Sequence, residues 1–65
     1  MLLSMKYNTS INIQFGELKP IIEWCDRNCS EWGYTILESA GKDAGMYQFF
    51  FDKENDYVNF ILWKK

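Results

Sequence analysis

The sequence predicts a single small α+β domain of order β-α-β-β-β, a mostly antiparallel four-stranded sheet with one amphipathic helix on one face. Three observations predict it: strict apolar–polar alternation at the start, a helical apolar stripe after Gly16, and three β-rich runs after Gly33. With 65 residues, the chain has room for one core, so 1–65 is read as one domain, with 1–8 as an extended N-terminal segment. A domain of this size is marginal unless its core is dense or it gains a partner. Aromatic residues make up 18% of the chain against a net charge of −2, which argues against disorder and for a dense core.

The first element follows from period two. Leu3, Met5, Tyr7, Thr9, Ile11, Ile13 and Phe15 alternate with Ser4, Lys6, Asn8, Ser10, Asn12 and Gln14, which is the pattern of a strand with one dry face and one wet face. The expected strand runs from Thr9 to Phe15, with residues 3 to 7 as its continuation. The helix is placed from Gly16 to Trp32. Leu18, Ile21, Ile22, Cys25, Cys29 and Trp32 fall within about 60° of one direction at ~100° per residue, with Glu23, Asp26, Arg27 and Glu31 opposite. Pro20 is tolerated only in the first turn, and Gly33 suits the C-terminal stop. Strands are then expected at Tyr34–Ser39, Met46–Asp52 and Tyr57–Lys64, joined by the Gly-containing 39–45 loop and the polar 52–56 turn.

Charge and motif content exclude more chemistry than they assign. The 7 Lys and Arg residues are scattered against 9 Asp and Glu, so no basic stripe exists to neutralise a phosphate backbone. The chain has no histidine to activate a nucleophile, and two cysteines alone do not complete a zinc site. Asp52, Glu54 and Asp56 have the spacing of the first calcium-loop ligands, but Tyr57 and Trp63 stand where that loop needs glycine and glutamate. Gly41-Lys42-Asp43-Ala44-Gly45 lacks the Lys-Ser/Thr of a phosphate loop. The expectation is a non-enzymatic protein with no cofactor and no metal. Met1–Met5 is too short for a signal peptide or a membrane span, so a cytoplasmic location without a membrane partner is expected.

The informative feature is an excess of large apolar residues over what one covered sheet face can hide. In the last strand Val58, Phe60 and Leu62 suit the core, leaving Tyr57, Ile61 and Trp63 on the other side. In the strand before it, Tyr47, Phe49 and Phe51 alternate with Phe50. Trp24 lies off the apolar centre of the helix. Trp24, Tyr47, Phe50, Tyr57, Ile61 and Trp63 are therefore the candidate partner-binding residues. Such a surface fits a protein–protein interaction module. Its alternatives are a single-stranded nucleic-acid binder stacking bases on sheet aromatics, for which the basic residues are too few, and a self-assembling homodimer or larger oligomer.

Trp24-Cys25 in mid-helix, Trp32-Gly33-Tyr34 at the helix–strand junction, Tyr47-x-Phe49-x-Phe51, and Asp56 leading to Phe60-Ile61-Leu62-Trp63 together resemble short accessory proteins of tailed bacteriophages of the cyanophage type. The resemblance covers residues 7 to 65. It implies a compact, non-enzymatic protein in the host cytoplasm that docks on a host or phage enzyme to inhibit or redirect it. It assigns no functional residue.

Overall fold

The computed structural model describes residues 6–64. Its elements are β1 (Tyr7–Ile13), α1 (Leu18–Asn28), β2 (Trp32–Ser39), β3 (Gly45–Phe51) and α2 (Glu54–Lys64). The α+β class is as expected, but the architecture has three strands and two helices instead of four strands and one helix. β3 is central in the order β1-β3-β2 and antiparallel to both neighbours. β1 and β2 therefore run parallel to each other, and α1 is the crossover between them.

β1 keeps the predicted faces. Tyr7, Thr9, Ile11 and Ile13 lie opposite Phe51, Phe49, Tyr47 and Gly45 on the covered side, and Asn8, Ser10 and Asn12 lie on the open side. The strand stops at Ile13 instead of reaching Phe15. A turn closed by the Glu17 N–H donating to the Gln14 carbonyl at 2.9 Å intervenes. Gly16 takes φ +90° within it, a conformation that disfavours side chains, and Phe15 projects 74% exposed. The predicted continuation through Leu3 and Met5 lies outside the described residues.

α1 has Pro20 in its first turn and buries Leu18, Ile21 and Cys25, as the stripe requires. It ends at Asn28, four residues before Trp32. The Asn28 amide donates to the Trp24 carbonyl at 2.8 Å, and Cys29 turns extended at φ −117° and ψ 143°. An asparagine that competes for a helix carbonyl ends the helix before glycine is reached, so Trp32 and Gly33 begin β2.

The last segment is the main correction. Residues 57–63 are apolar at nearly every position, so they satisfy period two and a helical repeat alike. The flanks decide for a helix: Glu54 and Asp56 stand in the first turn and Lys64 in the last, matching the helix dipole at both ends. As a helix the segment buries Phe60, while Val58 and Leu62, expected in the core, are 42% and 61% exposed.

The core lies between one sheet face and the two helices. Tyr47, Phe49 and Phe51 of β3 form its floor, roofed by Leu18, Ile21 and Cys25 of α1 and by Phe60 of α2. Phe60 is fully buried, its ring 5.1 Å from Phe49 and 5.0 Å from Phe51. At the other end of β3, Gly45 has φ +133°, and a Cβ there would run into the Glu38 carbonyl and lie 2.9 Å from the Ala40 nitrogen. Gly45→Ala is expected to cost about 2–4 kcal/mol through combined clash and backbone strain, whereas Gly33→Ala, with nothing within 4 Å of the added carbon, is expected to be near neutral. Urea unfolding midpoints of the two variants check this.

Candidate functional site

Helical geometry redistributes the predicted contact residues. At ~100° per residue, Phe60 points inward, Trp63 to one flank, and Ile61 with Val58 and Leu62 to the other. On the first flank the Trp63 ring stacks on Trp24 of α1, with centroids 4.6 Å apart and planes 7° from parallel. Trp24 also lies 6.0 Å from Phe60, so it joins the two helices, and Trp63 keeps 42% of its surface exposed. The Lys64 ammonium stands 5.5 Å from the Trp63 ring. Tyr57 is half-buried, 5.6 Å from Tyr7 and 6.3 Å from Phe51, and ties the start of α2 to the sheet.

Three of the expected residues do not join this group in the way their grouping implied. Tyr47 is 4% exposed and part of the core floor, so it has no surface to offer a partner. Phe50 is the one candidate on the open sheet face, where it lies opposite Gly33 and Asn8 among Asn, Ser, Thr and Gln side chains. Gln48 donates to Asn8 across that face at 3.0 Å. Phe50 is thereby separated from Tyr57 and Trp63, which are on the helix side, and the three do not form one stacking platform. Ile61, 36% exposed, lines a shallow groove of about 220 Å³ with Thr9, Ile11, Phe60 and Lys64.

Two exposed apolar groups were missed. Val58, Ile61 and Leu62 form an i, i+3, i+4 stripe on the outer flank of α2, a pattern visible only once the segment is read as a helix. Tyr34 and Ile36 of β2, on the covered side of the sheet, are 42% and 46% exposed. A second groove of about 380 Å³ remains there, between Leu18 and Ile22 of α1 and Tyr34, with Lys19, Glu23 and Asp43 at its rim.

Of the polar groups singled out from the sequence, Asp56 and the two cysteines have structural partners. Asp56 accepts a hydrogen bond from the Ser30 N–H at 3.1 Å, tying the α1–β2 link to the start of α2. Cys25 and Cys29 are free, buried thiols one turn apart. Burial first, then Cys29 and the Asp26 and Asp56 carboxylates, push the Cys25 thiol up to about 12. Burial and Asp56 also raise Cys29, with the hydrogen bond to Cys25 acting in the opposite direction. Among the described residues no cluster of three His, Cys, Asp or Glu side chains is placed to hold a metal ion.

Comparison with protein families, with characterised proteins and with solved structures found no match to this chain.

Two outcomes follow from this geometry. A double-mutant cycle on Trp24→Ala and Trp63→Ala is expected to give a coupling of about 0.5–1.5 kcal/mol, read from unfolding free energies, and simple additivity would contradict the stack. The Cys25 thiol is raised when folded, from an ordinary value of 9.0 to about 12. The unfolded thiol ionises first, so the linked stability is complete below pH 9 and declines as pH rises toward 12. Unfolding midpoints should fall over this range, and Cys25→Ala should flatten the slope.

Proposed function

We propose that this chain is a non-enzymatic docking module that buries the outer flank of α2 against another protein surface. The observation that carries the reading is that α2 is apolar on opposite sides. Phe60 and Tyr57 face the core, while Val58, Ile61 and Leu62 face outward at 42%, 36% and 61% exposure. A helix that serves the core on one side and carries an exposed apolar stripe on another has surface left for a partner to cover. In line with the resemblance to phage accessory proteins, such docking would modulate or inhibit a host or phage enzyme. Phe50 lies opposite Asn8 and Gly33 on the open sheet face, and with the chain's few basic residues scattered it favours no nucleic-acid reading.

The test is a photoreactive benzoylphenylalanine placed at Leu62 in cells, compared with the same group at Thr35 on the open face. Protein adducts are expected at Leu62 and not at Thr35. No adduct at Leu62, or equal labelling at both, overturns the reading.

A further inference from the structure

We infer that the surface covering this flank is a second copy of the chain, joined by antiparallel pairing of two β1 edges into a six-stranded sheet. The inference rests on the reading that this flank docks on protein and assigns the flank to a second copy, so that contact with a host or phage enzyme would fall to other surfaces of the dimer.

The two sheet edges are not alike. β2 carries a bulge between Ile36 and Glu38, and Glu38 itself is charged. Bulges and charges are the usual devices that keep an edge from pairing. β1 has neither. Its register with β3 is unbroken over seven residues, and Tyr7–Ile13 contains no charge and no proline. Alternate N–H and C=O groups along its outer side have no partner strand among the described residues.

β1 is also complementary to itself. Antiparallel pairing about a two-fold axis at Ser10 sets Thr9 opposite Ile11, Asn8 opposite Asn12, and Tyr7 opposite Ile13 of the copy. Every covered-side residue then meets a covered-side residue, and every open-side polar residue meets a polar one. Such an isologous contact closes on itself, giving a dimer and not a fibre.

The helix layer agrees with the strand layer. α2 leans on α1 through Trp63 and Trp24, so its opposite flank lies on the β1 side, where Ile61 lines the groove with Thr9 and Ile11. Pairing the β1 edges brings that groove against its symmetry mate. The Val58–Ile61–Leu62 stripes of the two copies then face one another across the same seam, adding helix contact to the backbone pairing. For a small chain that leaves Val58, Ile61 and Leu62 exposed, this supplies further buried apolar surface.

The experiment has two parts. Light scattering coupled to size exclusion, over micromolar to high-micromolar concentrations, is expected to show twice the monomer mass. Ile61→Lys with Leu62→Lys should weaken the dimer at least about tenfold, while Ile36→Lys on the other edge leaves it intact. Besides the buried native Cys25 and Cys29, one cysteine is then added at Ser10, which meets its own copy across the axis, or at Thr35 as a control. Directly opposed antiparallel residues lie about 4.5–5.5 Å apart, within reach of a disulfide. Oxidation should cross-link Ser10→Cys strongly and Thr35→Cys not at all. A monomer throughout the concentration range overturns the inference, as does a dimer indifferent to Ile61→Lys with Leu62→Lys and uncrosslinked along β1. If Leu62 adducts form only with other proteins and the chain stays monomeric, the docking reading stands and the self-pairing is refuted.

Discussion

The seating of Phe60 is the contact on which the rest of the arrangement depends. It is the only fully buried side chain of α2, and it fills the space above Phe49 and Phe51 of the central strand. Burying a phenylalanine contributes about 1.5–3 kcal/mol, a large share of the marginal stability a 65-residue domain can hold. The position of Phe60 sets the orientation of α2. Once it points at β3, helical geometry turns Trp63 toward Trp24 and Ile61 toward β1. The short links at Asp56–Ser30 and Tyr57–Tyr7 then hold the first turn in place.

Two helices over three strands explain where apolar surface is left. α1 crosses from the end of β1 to the start of β2, and its buried side chains reach the middle of the sheet. Tyr34 and Ile36 of β2 stay exposed, and Val58, Ile61 and Leu62 lie beyond the reach of the core on the other side. The open sheet face, in contrast, is mostly polar, and Gln48 and Asn8 hydrogen-bond across it. Much of the exposed apolar surface thus lies at the two flanks of the molecule, with Phe15 and Leu37 exposed besides. This is why a contact through the flanks, helix and edge strand together, fits this scaffold better than a flat stacking platform.

The buried thiols and the acidic turn show how chemistry-bearing residues can serve the fold alone. Cys25 sits in the roof of the core with its proton held on by burial and by neighbouring negative charge, which is the opposite of what a nucleophile needs. Asp56 gives its carboxylate to a backbone N–H across the α1–β2 link, and Glu54 and Asp56 favour the helix start through its dipole.

The α+β class, the faces of β1, the buried stripe of α1 and the first-turn proline were legible from periodicity, because β1 and α1 mix polar and apolar residues in a pattern that only one structure satisfies. The face taken by the Phe49–Phe51 run of β3, apolar on both sides, was not legible. The end of α1 was legible only in part. Asn28 closes the helix through a hydrogen bond that competes with a glycine signal further on. The state of residues 57–63 was not legible, because an almost wholly apolar run fits a strand or a helix equally well. Tertiary structure decided it: a helix lets Phe60 reach both aromatic rings of β3 while its charged ends match the dipole. The same decision moved Tyr57, Ile61 and Trp63 from a supposed sheet face to the flanks of a helix, and left β1 as a free edge. Local pattern was therefore enough to determine which residues are buried along β1 and α1, while Tyr47 proved buried and Val58 and Leu62 exposed against expectation. Where the exposed apolar residues gather depended on how two helices share one small sheet, and that is a property of packing between distant segments.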